Sequence, residues 1–467
     1  MPSKGNVSSS ARDLVPAVAL ALLLLAGGNA GAASLKESIE ATLATNPEIG
    51  VVAADRQAID QELRQARAGF LPSIDLRGAA GPEFTDSPAT RRRGGSSDST
   101  TLLRLESQLT LSQMLFDGFA TQSEVERQKA RIDSSAFRVQ ETAEFIALDA
   151  VEAHLDVLRN RRLVELAVDN LEQHQRILAR VRRLEREGAG SIADVTQAEA
   201  RVAAAKNFLV IARRNLRDAE ATYLRVVGSP ADELEEPLPP LAAIPESPDS
   251  AAARAAVNSP TVLIANADIN VSKAELEGAR SGYYPRLDLE LGAAANRNLD
   301  GIDGKDLDAQ ALVVLRYNLF RGGADIARER EAFARVRESR EVLRRARREA
   351  EEQARVAYNG LVAASERVEV LRAGVEAQRA TRDAYAQQFE LGQRSLLDLL
   401  DSQNQLFIGR SDLTTAEFTE LFAVYRVLAV IGDLLTTLDI DRPKDSIDIY
   451  RERRPPQRET PPVQPVQ

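Results

Sequence analysis

The sequence predicts a mostly helical α+β membrane protein built from two tandem repeats, each with two β-strands and one long helical hairpin. Three features predict it. The 467-residue chain aligns with itself over most of its length. Apolar and polar residues alternate with period two in both copies, as in a strand with one apolar face. Each alternating segment then passes through Gly into a very long helical pattern.

The internal alignment comes first. At an offset of 213, Ala66-Arg67-Ala68-Gly69-Phe70-Leu71-Pro72 meets Ala279-Arg280-Ser281-Gly282-Tyr283-Tyr284-Pro285. Further on the offset becomes 204, where Leu115-Phe116-Asp117-Gly118 meets Leu319-Phe320-Arg321-Gly322. Gly188, Ser191 and Asp194 then meet Gly392, Ser395 and Asp398, and Gly228 meets Gly432. The nine residues lost between the two offsets fall between about 77 and 106, a length change that a loop tolerates.

Each copy has the same element order. A short helix ends near Ala44 or Val257, and Pro47 or Pro260 opens the next at a position that suits proline. That helix runs to about Ala68 or Ser281. Two extended segments follow. In the first copy Leu103, Leu105, Leu109, Leu111 and Leu115 alternate with Arg104, Glu106, Gln108, Thr110 and Ser112. The second copy repeats this less cleanly with Ala311, Val313, Leu315, Tyr317 and Leu319. From Phe119 to Glu187 there is neither Pro nor internal Gly, and Leu148, Val151, Leu155 and Leu158 have coiled-coil spacing. Such a helix would be ~100 Å long. Its counterpart spans Ala324 to Leu391, and return helices span Ile192 to Val227 and Leu396 to Leu438. The predicted organisation is a signal peptide (1–32), a first repeat (33–230), a Pro-rich linker (231–250), a second repeat (251–440) and a disordered Pro-rich tail (441–467).

The leader assignment rests on Lys4 and Arg12 ahead of the apolar run Leu14 to Ala26, with Ala30-Gly31-Ala32 as a cleavage pattern and a mature start near Ala33. The run is short for a bilayer-spanning helix, which needs ~20 residues. Zero cysteines exclude disulfides, thiolate metal sites and an N-terminal lipidated cysteine. The net charge of −10 argues against a nucleic-acid partner. His154 and His174 have no ligand-spaced companion and read as surface or packing residues, so no cofactor, metal or catalytic residue is expected.

Two repeats supply four strands, too few to close a barrel, and an open edge is not tolerated in lipid. Like chains must therefore share a wall, and three copies would supply twelve strands. The long helices carry thin, Ala-rich seams that neighbouring helices must cover. Residues alone lead to a strand-closing oligomer with a long helical extension.

The duplicated pattern resembles the TolC-like outer-membrane efflux family over roughly residues 34–440. It comprises Phe70-Leu71-Pro72 and Tyr284-Pro285 before strands, the Leu-Phe-x-Gly segments before long helices, and two Gly-x-x-Ser-x-x-Asp turns. The resemblance implies a homotrimer forming a 12-stranded outer-membrane β-barrel that continues into a 12-helix periplasmic α-barrel. It further implies a passive exit duct, not an enzyme, serving a periplasmic adaptor and an inner-membrane ABC transporter or other pump. The turn from Phe389 to Asn404 is most similar to channels of type I protein secretion; multidrug efflux is the neighbouring possibility. A periplasmic coiled-coil adaptor or scaffold is the alternative class, but adaptors lack duplicated alternating strand pairs.

The resemblance places the periplasmic entrance constriction at Asp398 and Asp401, three apart on one helical face. Six such carboxylates would repel anions and select cations. The bland alternative is a solvated pair, with Asp398 held by Arg394 one turn earlier. Asp194 and Arg394 align with positions that link neighbouring tips as a gate latch. Phe389 stands where the family's best-known member has a tyrosine, and its phenyl ring cannot hydrogen-bond; plain helix packing is its other reading. Gly188, Ser191, Gly392 and Ser395 fit tight turns and N-caps, and the family's adaptors dock at these tips. Arg91-Arg92-Arg93 reads as a solvated extracellular loop. Phe70, Tyr283 and Tyr284 are placed at the periplasmic membrane interface.

Overall fold

The computed structural model describes residues 32–91 and 99–450. The expected leader and the arginines at 92 and 93 lie outside the described residues. In chain order come α1 (Leu35–Thr45), α2 (Pro47–Ala68), β1 (Ser73–Thr85), α3 (Pro88–Arg91), β2 (Thr100–Phe116), α4 (Ala120–Arg186) and α5 (Ile192–Val227). The second half repeats the order with α6 (Pro248–Asn258), α7 (Pro260–Arg280), β3 (Arg286–Arg297), β4 (Lys305–Arg316), α8 (Ala324–Glu390), α9 (Leu396–Val430) and the short α10 (Leu434–Thr437).

The four strands form one antiparallel sheet in the order β1-β2-β3-β4, with β1 and β4 as open edges. The register gathers the apolar residues on one face: Ile74 pairs with Leu111, Leu111 with Leu291, and Leu291 with Ala311. Leu76, Leu109, Val313 and Leu315 on this face are exposed. The opposite face carries Asp75, Thr110 and Gln310 around Gly292. One greasy and one polar face are what a membrane barrel wall requires. Among the described residues no helix is long and apolar enough to cross a membrane.

The turn from strand to long helix depends on Gly118. Its φ is 69°, and a Cβ there would sit 2.7 Å from the Ser281 carbonyl oxygen and from Tyr284 Cβ. Asp117 caps α4 by accepting from the Thr121 amide at 2.7 Å. Phe119 is also left-handed, at φ 69°, a conformation unusual outside glycine. Edge-to-face contacts at 5.4 Å with Phe116 and 5.9 Å with Tyr284 hold it there.

Next to the sheet the helices lie side by side as α2-α4-α7-α8; in a second tier farther from it they run α5-α4-α9-α8. In both tiers α8 is an outer helix. The largest apolar core gathers where the tiers meet, from α1, α4, α6, α8, α10 and the ends of α5 and α9. His154 is buried there: its ring nitrogens meet Ser38 Oγ at 3.0 Å and the Glu235 carbonyl at 2.9 Å. Both histidines are therefore packing residues, and neither is on the surface.

Two sequence expectations need correction, the end of the last return helix and the start of the tail, and the linker between the repeats proves firmly attached. The last return helix does not run to Leu438. It ends at Val430, Gly432 reverses the chain with φ 78°, and α10 follows. The Pro-rich linker is pinned: Arg161 binds the Ala231 and Asp232 carbonyls, and Tyr425 and Tyr358 donate to the Leu238 and Glu246 carbonyls. Finally, residues 441–450 are not part of a disordered tail. They form a strap along α4, where Asp133 accepts the amides of Ile449 at 3.0 Å and Tyr450 at 2.9 Å. The remaining tail lies outside the described residues.

Candidate functional site: the hairpin tips

Both hairpins reverse on a glycine with positive φ, 74° at Gly188 and 71° at Gly392. A side chain at either would be strained even though space is open around it. Serine then starts each return helix. Ser191 accepts from the Ala193 amide at 3.1 Å, while Asp194 accepts from the Ser191 amide at 3.2 Å, closing a capping box. Ser395 accepts from the Asp398 amide at 3.2 Å and donates to the Asp398 carboxylate at 2.8 Å. The four turn residues thus sit where the spacing predicts.

The acids are less free than an open pair would be. Asp398 lies 3.8 Å from Arg394, and Asp401 receives a 2.5 Å bond from Arg201 of α5. Arg201 is the functional candidate that sequence reasoning missed. A single arginine on a charged helix carries no signal of its own; only the tertiary approach of α5 to α9 makes it a partner.

Arg394 and Asp194 do not meet within one chain. Arg394 stacks over the Tyr385 ring at 4.1 Å and donates to Gln388 at 3.1 Å, while Asp194 is engaged with its own cap. Inside the chain the tips are joined instead by Arg180–Glu390 at 2.6 Å and by a small apolar core. Phe389 packs on that core of Val181, Val195, Ala198, Leu396 and Leu400. The phenyl ring therefore does the work of helix packing, linking α8 to α4, α5 and α9.

Above the tip, a polar layer crosses the bundle. Arg382 donates to Gln403 at 3.1 Å, Gln403 reaches Asn170 at 3.4 Å, and buried His174 lies one turn further along α4. Burial, helped by the nearby Arg201 charge, lowers the His174 pKa to about 4. The imidazole therefore stays neutral at ordinary pH.

An apolar-faced antiparallel sheet mounted on helical hairpins ~100 Å long, with acids at their tips, defines a protein of the outer-membrane channel class. The outer membrane efflux protein family model matches residues 38–229 and again 251–432. The chain belongs to that family. It is 28% identical over 428 residues to the outer membrane efflux protein BepC of Brucella suis, covering 89% of this chain and 90% of that one. It is 25% identical to the alkaline protease secretion protein AprF of Pseudomonas aeruginosa (89% and 87% covered) and 22% identical to the outer membrane protein TolC of Escherichia coli (84% and 80%). Its fold superposes on CusC with a TM-score of 0.71 at 14% identity, covering 86% and 91% of the two chains. The outer-membrane channel OprN gives 0.70 at 19% identity, covering 85% and 90%.

Proposed function

We propose that three copies form one continuous duct, a 12-stranded barrel in the outer membrane extended by a 12-helix tunnel into the periplasm. It carries cargo passively from an adaptor and an inner-membrane pump to the outside. The observation that carries this reading is the pair of open edges on an apolar-faced sheet. Lipid supplies no hydrogen bonds to the free backbone of β1 and β4, so only another copy satisfies them. The relatives include both a protease secretion protein and efflux proteins, which supports the exit-duct role while leaving cargo to the pump.

The internal correspondence also suggests a seam between copies. Within the chain, α4 meets α7 through Ser134–Asp268 at 2.6 Å and Glu141–Thr261 at 2.6 Å. Adding 204 to the α4 residues and subtracting 213 from those of α7 gives Glu338 with Asp55 and Arg345 with Glu48. These pairs belong to α8 and to the α2 of the next copy. The second would be an ion pair between chains.

At the entrance, Asp398 and Asp401 form the constriction, with Arg394 and Arg201 as counter-charges that loosen it when the hairpins part. Each such pair at a wet surface is worth only ~0–1 kcal/mol, which suits a gate. The Gly188–Ser191 and Gly392–Ser395 turns are the adaptor-docking tips, and Asp194 and Arg394, which do not meet inside the chain, would latch by leaving their present partners for a neighbouring chain. The test is single-channel recording in planar lipid. The parent should conduct with cation preference, and Asp398→Asn with Asp401→Asn should reduce that preference. Unchanged selectivity would remove the acids from the constriction.

A further inference from the structure

We propose that the outer groove between α7 and α8 is a docking surface for an extended acidic polypeptide segment of a periplasmic partner. On α8, Arg330, Arg337, Arg340, Arg344, Arg347 and Arg348 fall on one helical stripe, and all six are exposed. Only Arg344 forms an ion pair among the described residues, with Glu341 at 2.9 Å. The stripe is about 27 Å long at the helical rise. It runs beside the buried row of Val336, Leu343, Ala346 and Ala350.

The first repeat shows what such a groove holds. At the offset of 204, Arg337, Arg340, Arg344, Arg347 and Arg348 correspond to Asp133, Ala136, Gln140, Ala143 and Glu144 of α4. Those five are buried. The chain's own strap lies beside Asp133, which takes two strap amides, while α7 packs on a different side of α4 through Ser134 and Glu141. The next copy's α2 would meet α8 on the side of Glu338 and Arg345, by the same correspondence. Given the proposed assembly, the arginine stripe therefore stays open when the ring closes. Where α4 offers the Asp133 carboxylate to an incoming backbone, α8 offers guanidiniums, which recognise carboxylates. The groove takes about eight residues of extended chain.

The test uses the assembled full-length protein in detergent and a fluorescein-labelled peptide of alternating Glu and Ser, read by anisotropy. The parent should bind, and Arg337→Glu with Arg340→Glu and Arg344→Glu should weaken binding about tenfold or more. Phe333 is the counterpart of Lys129, whose ammonium lies 5.9 Å over the ring of the strap's Tyr450, and a benzophenone residue there should cross-link to the peptide. The Arg→Gln triple variant repeats the measurement if charge reversal impairs folding. No binding, or binding indifferent to these variants, overturns the proposal. Equal affinity for dextran sulfate overturns the assignment to a polypeptide. Protein that assembles and conducts but ignores the peptide overturns the docking surface alone, whereas protein that never assembles removes the duct reading itself.

Discussion

Helices α4 and α8 are repeat counterparts of equal length, 67 residues each, yet α4 has 27 buried residues and α8 has nine. The nine are all Ala, Val or Leu, whereas the α4 set includes Asp133, Glu144, Asn160, Asn170 and both histidines. Helix α4 lies inside its own chain, flanked by α2, α7, the strap and α10 in one tier and by α5 and α9 in the other. Helix α8 is at the edge in both. The same repeated pattern has thus been fitted to two environments, one enclosed by the chain and one left at its edge.

Exchanging residues between the two helices breaks or sharpens this contrast. Ala147 is fully buried, and its counterpart at the 204 offset is Glu351. Ala147→Glu should cost ~3–5 kcal/mol, as an unpaired buried charge does. Glu351→Ala should change stability by about 0.5 kcal/mol or less. Thermal denaturation of the detergent-solubilised protein reads both.

Glu144 gives the next effect. Neither of its carboxylate oxygens has a hydrogen bond of ordinary geometry. Burial raises its pKa to about 7; the Arg442 charge and the nearby Leu434 and Leu435 amides oppose the rise, and Asp433 adds to it. A folded pKa above the unfolded value means that the contribution to stability is complete below pH ~4.5 and is lost as pH rises through about 7. Glu144→Gln should flatten that window and stabilise the protein at pH 8 by up to about 3 kcal/mol. A melting profile against pH with the parent's slope retained would mean that Glu144 is not its source.

Smaller effects lie at the tips. Phe389→Ala removes a half-buried ring from the joint between hairpins and should cost about 2 kcal/mol, with more frequent opening events in single-channel traces. Arg201→Gln should leave stability within about 1 kcal/mol while raising cation preference, because Asp401 loses its internal counter-charge.

The fold was legible wherever local chemistry punctuates the chain. Pro47, Pro260, Gly188, Gly392 and the serine caps mark helix ends by their own conformational demands, and alternating leucines mark β2 on their own. What was illegible depends on partners far away in sequence. The strap is held by Asp133 through backbone amides, which any residue carries, and its Pro-rich continuation disguised it. The break at Gly432 was visible only as a match to Gly228. At the tips, the turns could be placed from sequence, but the pairing of Asp401 with Arg201 and the separation of Arg394 from Asp194 are set by how the hairpins lean together.

The proposed seam between copies is the point on which everything else depends, and the absence of native cysteine makes it directly testable. Glu48→Cys with Arg345→Cys, treated with a short thiol-reactive cross-linker in membranes, should yield covalently joined dimers and trimers on denaturing gels. Either single variant should run as monomer. Double-variant protein that remains monomeric while both thiols react with maleimide would contradict the shared wall.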